Sequence, residues 1–340
     1  MKKNLILIAL TVFSLGIFSC ETIVEDLPLN RFPEIKEKLV LSAFISPQDT
    51  MIYVKVSVST PLFGEYKSGN ASFFVMNGDT TFFGKSNIVR DAIVTLSTGS
   101  QQITVPFQST NQVYALPAEK FKIEAGKTYT LRAMTKNNQA EATTTVPLER
   151  VAIESFKTDS TGRVFNSYSS NQGSQKDTAS GYLVQFSWKD IAQKQNFYKI
   201  SGEFEYYFDF PNVINNVLTY RTQKVSSNYL WYGNSGLLDD SFQDGAIISS
   251  PKVGVLKQAF GSTFINGKLY KPRPSLLGSK LKLQVSNLSK ELYDYERSLG
   301  KFYDADGNPF AEPAPVFSNV KNGLGCFAGY NRTEISIKLK

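Results

Sequence analysis

The 340-residue chain contains no histidine. Histidine is the usual general base of hydrolases and a preferred ligand of zinc and copper, so its absence excludes Ser-His-Asp and Cys-His catalysis and histidine-based metal centres. The paired carboxylates of a glycosidase are not identifiable either, because no spacing places two glutamates across a sugar. The sequence therefore predicts no catalytic residues, no metal ligands and a protein that is not an enzyme.

Cysteine is almost as scarce, with only Cys20 and Cys326 in the chain. Cys20 ends an amino-terminal signal, which leaves Cys326 without a partner for an intramolecular disulfide. Cys326 lies in the apolar, glycine-rich segment 323–329. We therefore expect it to be a small buried side chain, with a reactive thiol as the alternative.

Long runs of one charge are also missing, although the formal net charge is +7. Removal of residues 1–19 takes away two lysines and leaves a net charge of +5. The remaining cations are scattered and form no stripe that could follow a phosphate backbone. Nucleic acid is therefore excluded as an expected partner.

The amino terminus combines Lys2 and Lys3 with an apolar run from Leu5 to Phe18. This run is shorter than the ~20 residues of a membrane-spanning helix, which favours a cleaved secretory signal. The residues Ile17-Phe18-Ser19-Cys20 resemble a bacterial lipobox. The resemblance implies a signal peptide at 1–19, acyl chains on Cys20 as the lipidation site, and a lipidated tether at 20–35. The alternative is an ordinary signal in which Cys20 carries no lipid.

Acidic residues follow the cysteine directly, at Glu21, Glu25 and Asp26. They resemble the export signal that sends Bacteroidota lipoproteins to the outer face of the outer membrane. This resemblance implies a lipid-anchored protein of the outer membrane that faces the cell exterior. The alternative is a polar spacer that faces the periplasm. We expect no cofactor beyond the covalent lipid on Cys20.

Residues 36–148 show the period-two alternation of strands, as in Leu39, Leu41 and Ala43. About seven short strands at spacings of 8 to 12 residues, ending at Pro147, predict an antiparallel β-sandwich of the immunoglobulin-like or transthyretin-like kind. Residues 64–85 interrupt this spacing and predict an inserted loop or hairpin.

Residues 149–340 predict a second β-rich domain with one amphipathic helix. The polar segment 157–181 is expected to be a long loop, and strands follow it. Residues 288–303 predict the helix, with Ser289 or Asn287 as its cap. The predicted fold is therefore mainly β, in two domains.

An aromatic cluster in the second domain is the candidate binding surface. Flat rings can stack on sugars or fill a protein interface, and packing in the core is the alternative. The candidate residues are Tyr220, Tyr229, Trp231 and Tyr232.

Two acidic segments have oxygen ligands at close spacing, 304–308 and 239–245. The first lacks the third carboxylate position and the bidentate glutamate of an EF-hand loop. We interpret it as a turn after the helix and the second as a loop, so no metal site is predicted.

Several motifs in order along the chain resemble one known family. They are Lys38-Leu39-Val40-Leu41, 91–96, 126–131, Trp188-Lys189-Asp190 and the closing segments 308–313 and 316–330. Together with Cys20 and Glu21 they are similar to the Bacteroidota lipoprotein family catalogued as domain of unknown function 4249. The family has no established active-site residues.

This resemblance implies an accessory of a TonB-dependent-receptor-like β-barrel in the outer membrane, which helps to capture a substrate or to assemble the complex. The barrel and a glycan or peptide ligand are therefore the expected partners. The alternative function is a stand-alone glycan-binding surface lipoprotein.

Overall fold

Strands dominate the molecule, as the alternation of apolar and polar residues predicts. The computed structural model describes residues 37–59, 72–76, 79–83, 87–169, 173–215, 217–228, 236–241, 243–259, 263–265, 267–305, 312 and 314–339. The elements described below belong to one unit, residues 37–340. No helix in the described ranges has the length and apolar character that a membrane span requires.

The strands and the long helix follow one another along the chain. They are β1 (Leu39–Ile45), β2 (Met51–Val58), β3 (Ser72–Met76), β4 (Asp79–Phe83), β5 (Ile93–Thr98), β6 (Gln101–Thr104), β7 (Phe107–Gln108), β8 (Val113–Pro117), β9 (Thr128–Met134), β10 (Gln139–Thr145), β11 (Ile153–Ser169), β12 (Gly173–Lys189), β13 (Phe197–Ile214), β14 (Val217–Asn228), β15 (Leu237–Asp239), β16 (Ile247–Ser249), β17 (Val253–Leu256), β18 (Thr263–Ile265), β19 (Lys268–Tyr270), β20 (Arg273–Pro274), β21 (Ser279–Leu288), α1 (Lys290–Ala305) and β22 (Gly323–Leu339).

The largest sheet has ten strands in the order β14-β13-β21-β22-β1-β2-β8-β7, and β15 and β20 also pair with β13. A four-stranded sheet, β10-β9-β5-β6, lies against the β1-β2-β8 part of the large sheet through a shared apolar core. A second four-stranded sheet contains β11, β12, β16 and β17. The predicted mainly β fold with a sandwich is therefore confirmed. The inserted hairpin predicted within 64–85 is present as β3 paired with β4.

The predicted loop at 157–181 is wrong, because this segment lies in a long antiparallel hairpin of β11 and β12. The hairpin pairs Phe156 with Phe186 near its base and Ser169 with Gly173 near its turn. The two strands satisfy each other's backbone hydrogen bonds, and this pairing involves backbone groups that every residue type carries, so it leaves little trace in the sequence. Half-buried alternation therefore revealed only the last part of β12, at 182–188.

The last strand, β22, joins the two halves of the chain. Its first part pairs in parallel with β1, from Leu39 opposite Gly323 to Ile45 opposite Gly329. Its second part pairs antiparallel with β21, from Tyr330 opposite Leu288 to Leu339 opposite Ser279. Gly325 has a φ of +103°, and a Cβ there would lie 2.0 Å from the carbonyl oxygen of Leu41. Glycine is thus required for the close approach of β1 and β22.

Two large apolar clusters fill the interior. One draws on 39–146 with Val320 and Phe327, and the other draws on 151–339 around Trp188, Tyr198 and Phe204. The boundary between residues 148 and 149 stays a prediction, since β22 contributes Phe327 to the first cluster and Leu339 to the second.

Helix α1 confirms the predicted amphipathic helix, with each end two residues further along the chain. Ser289 precedes its first residue, and the Leu292 N–H donates to Ser289 Oγ at 3.4 Å and to the Ser289 carbonyl oxygen at 3.1 Å. Leu292 and Tyr293 are buried against β22, with Cys326 in the same cluster.

Candidate functional site

The sequence-predicted sites fall mostly outside the described residues. Cys20, Tyr229, Trp231 and Tyr232 are among those for which the structure gives no description. Tyr220 is described, and it lies half-buried on β14 opposite Pro211 of β13. The candidate surface can therefore be built only around Tyr220.

An arginine covers one face of the Tyr220 ring. The guanidinium carbon of Arg273 lies 3.9 Å from the ring centroid, a cation–π distance. Arg273 pairs with Asp209 across the β13–β20 ladder, and its Nε lies 3.6 Å from Asp209 Oδ2. The covered face of Tyr220 is not available to stack on a sugar.

The β13–β14 hairpin ends in an exposed apolar turn. Ile214 pairs with Val217, and Asn215 between them has a φ of +51°, which asparagine tolerates in tight turns. The exposed fractions are 39% for Val213, 53% for Ile214 and 61% for Val217. Isolated exposed apolar side chains are ordinary, but three at one turn form a distinct apolar tip.

Three carboxylates lie close together beside the ends of β12 and β15 and the start of β16. Single oxygens of Asp190, Asp240 and Asp244 lie within 4.8 Å of one another, and only Asp244 is exposed. Oxygen donors at this spacing are the type that hard divalent cations take. Sequence reasoning grouped Asp240 with Asp244 in a loop but missed Asp190, because only the fold brings it beside them.

Each of these carboxylates already accepts hydrogen bonds. The Tyr198 hydroxyl donates to Asp190 Oδ1 at 2.5 Å, and the Gly245 N–H donates to Asp190 Oδ2 at 2.8 Å. The Asn196 N–H donates to Asp240 Oδ2 at 2.9 Å, and the Gln193 N–H donates to Asp244 Oδ1 at 2.8 Å. Through these hydrogen bonds the three carboxylates hold the surrounding turns in place.

A second polar cluster lies where the β1–β2 turn meets β22. The Tyr330 hydroxyl donates to Asp49, with distances of 2.8 and 2.9 Å to the two carboxylate oxygens. An Arg332 Nη lies 3.7 Å from Asp49 Oδ1, and the Asp49 side chain is only 5% exposed. Burial outweighs these favourable contacts and raises the pKa of Asp49 to about 6.

Asn331 holds the linker between the two halves beside this cluster. Its Nδ2 donates to the carbonyl oxygens of Pro147 at 3.0 Å and Leu148 at 3.2 Å, and its Oδ1 accepts from Gln48 Nε2 at 3.0 Å. Asn331 is 3% exposed. All of its contacts join segments of the chain, which makes this cluster structural.

Cys326 is fully buried beneath helix α1, as the sequence predicts. Its Sγ lies 3.7 Å from the carbonyl oxygen of Glu291. Burial and the nearby Glu291 and Glu296 raise the pKa of the thiol far above its usual range. A protonated, inaccessible thiol is a packing group and not a nucleophile.

A shallow groove of about 340 Å³ lies on the outer face of the β9–β5 sheet. Ile93 and Met134 border it, and the Arg132 guanidinium binds Glu141 at 2.6 Å along one side. Threonine and serine side chains form much of the remaining wall. No sequence pattern indicated this groove, because its residues come from four strands.

Residues 26–336 match the family model of a domain of unknown function, DUF4249. Neither the curated proteins nor the solved structures yield a match. The family match spans nearly all of the chain, from the predicted tether into the last strand, β22. The chain therefore belongs to the family described as Domain of unknown function (DUF4249).

Proposed function

We propose that this protein is a lipid-anchored, non-enzymatic binding protein of the outer membrane. It faces the cell exterior and serves as the accessory subunit of a TonB-dependent-receptor-like β-barrel, either in substrate capture or in assembly of the complex. Its partners in this proposal are the membrane, the barrel, and a glycan or peptide ligand.

The observation that carries this proposal is Cys20 and its setting. An apolar run precedes it, acids follow it, and among the described residues the first strand begins at Leu39, with Glu37 and Lys38 exposed. Acyl chains at Cys20 would thus be separated from the folded residues by a short tether. Because each buried methylene contributes ~0.8 kcal/mol and stable anchoring takes two or more chains, a diacylated and N-acylated cysteine would hold the protein on a bilayer.

Metabolic labelling with a palmitate analogue tests the anchor. The wild-type protein is expected to incorporate the label, and Cys20→Ser is expected to lose it. Cys326→Ser is the matched control, since this buried thiol is not a lipid acceptor in the proposal. An unlabelled wild-type protein, or label retained in Cys20→Ser, contradicts the proposal.

Co-purification from detergent extracts tests the barrel partner. The expected result is one outer-membrane β-barrel that is enriched with the tagged protein. It should be absent from an extract in which the tag is on an unrelated lipoprotein. Recovery of the protein alone contradicts the accessory role. Protease treatment of intact cells tests the outward face, because only a protein on that face is degraded while periplasmic proteins stay intact.

A further inference from the structure

We propose that the apolar tip of the β13–β14 hairpin is a second membrane-binding element, which inserts Val213, Ile214 and Val217 into the surface of an anionic lipid bilayer. This inference goes beyond the proposed function and relies on its lipid anchor only to place the protein on vesicles in the test.

The order of residue types along the hairpin, from its tip inward, matches the order of regions at a bilayer surface. The exposed aliphatic residues form its end, and Tyr220 lies three residues from Val217, or ~10 Å at ~3.3 Å per residue. Interfacial elements bury their apolar part ~5–10 Å deep, and tyrosine is enriched at the level of the headgroups. Arg221 follows at ~13 Å, and Arg273 stacks on Tyr220. Apolar, aromatic and cationic groups thus follow one another from the tip inward.

The charge at this end favours an anionic surface. Segments 206–222 and 263–277 contain four cations and one acid, which gives a net charge of +3. The second segment meets the hairpin at 273–275, since Arg273 pairs with Asp209 and the Ser275 N–H donates to the Tyr207 carbonyl oxygen at 3.1 Å. Each lysine or arginine close to an anionic membrane contributes ~1 kcal/mol of attraction. The cations are Arg221, Lys268, Lys271 and Arg273.

The shape of the tip distinguishes a bilayer from a protein partner. A stable protein interface buries ~800 Å² on each side and requires complementary surfaces. The tip is a narrow projection with three exposed aliphatic side chains, which is much smaller than such a patch. A bilayer accepts a projecting apolar group without a matching cavity. The lipid surface is therefore the occupant that the geometry favours.

The tip lies at the opposite end of the strands from Leu39, the first residue of β1. From Leu39 to Ile214 the register runs seven residues along β22 and then seventeen along β13, both in the same direction. At ~3.3 Å per residue this separation reaches ~80 Å at most. The tip is therefore remote from the amino-terminal end of the described residues.

The test uses the acylated full-length protein reconstituted into vesicles, with an environment-sensitive fluorophore on Val217→Cys. Cys20 is acylated and Cys326 is 0% exposed, so the label goes to position 217. The control is the same label on Ile247→Cys. Ile247 is exposed and pairs with Lys189, the last residue of β12, and it is not part of the β13–β14 hairpin. Vesicles contain either phosphatidylethanolamine with phosphatidylglycerol or phosphatidylcholine alone, each with a lipid-borne quencher.

We expect a blue-shifted emission and several-fold stronger quenching at position 217 than at 247 in the anionic vesicles. The quenching at 217 should fall several-fold in phosphatidylcholine, and Arg221→Gln should lower it in anionic vesicles only. The proposal is overturned if positions 217 and 247 are quenched equally, or if position 217 is quenched equally in anionic and phosphatidylcholine vesicles. A signal at 217 that appears only after a β-barrel protein is added identifies a protein surface and also overturns it. Palmitate labelling tests the lipid anchor independently, so a failure of the proposed function can be distinguished from a failure of the proposed membrane contact of the tip.

Discussion

Asp49 makes the protein less stable as the pH rises from about 4 to about 6, and Asp49→Asn removes this dependence. The pKa of this carboxyl rises from 3.8 to about 6 in the folded protein. Because the raised pKa means that the folded protein binds the proton more tightly than the unfolded chain, ionisation of Asp49 opposes folding. The contribution is most favourable below pH 4 and is lost as the pH passes through 6.

The two pKa values set the magnitude. At 1.36 kcal/mol per pH unit, the difference between 3.8 and about 6 corresponds to ~3 kcal/mol at pH 7 and above. Asparagine keeps an oxygen acceptor for the Tyr330 hydroxyl and carries no charge to desolvate. It gives up the ion pair with Arg332, whose separation of 3.7 Å makes the loss small. The variant should therefore gain stability relative to the wild type as the pH rises.

Urea denaturation of both proteins at pH 4, 5, 6, 7 and 8 checks this. The difference in unfolding free energy between Asp49→Asn and wild type should grow by ~2–3 kcal/mol from pH 4 to pH 7. Glu141→Gln is a suitable control, because it breaks a largely exposed ion pair with Arg132 and should cost less than ~1 kcal/mol. Parallel curves for Asp49→Asn and wild type would refute the argument from burial.

Close contacts elsewhere in the fold give three more predictions. Gly325→Ala should abolish folding, because its Cβ would meet the Leu41 carbonyl oxygen at 2.0 Å. Gly267→Ala is the control, since the space around Gly267 is open, and it should cost only ~1 kcal/mol of stability. Circular dichroism and urea denaturation distinguish the two variants. Asn331→Ala should cost ~1–3 kcal/mol in urea denaturation, because the buried Asn331 side chain loses its hydrogen bonds to the Pro147 and Leu148 carbonyl oxygens and to Gln48 Nε2. The Cys326 thiol should react with Ellman's reagent only after unfolding, and rapid reaction in the native protein would contradict its burial.

Local patterns in the sequence predicted the local structure well. Alternation at Leu39, Leu41 and Ala43 predicted β1, since one face of that strand is buried. The apolar spacing of α1 located the helix to within two residues at each end. The part of the β11–β12 hairpin at 157–181 escaped detection, because its polar side chains carry little period-two hydrophobic signal.

Contacts between distant segments could not be predicted. The parallel pairing of β1 with β22 joins residues almost 300 positions apart, and no periodicity encodes such a register. The same holds for Asp190, which reaches Asp240 and Asp244 through the pairing of β12 with β16. The arginine over Tyr220 likewise comes from a short strand that sequence reasoning did not distinguish from a loop.

The place of β22 has a consequence for biosynthesis. β1 leaves the ribosome before the other described strands, yet its parallel neighbour β22 is made after all of them. Until the seventeen residues of β22 emerge, β1 and β21 each expose one edge to other nascent chains. A chain that stops before residue 323 would lack the strand between them and would be open to aggregation or proteolysis, so emergence of β22 acts as the checkpoint for assembly of the large sheet.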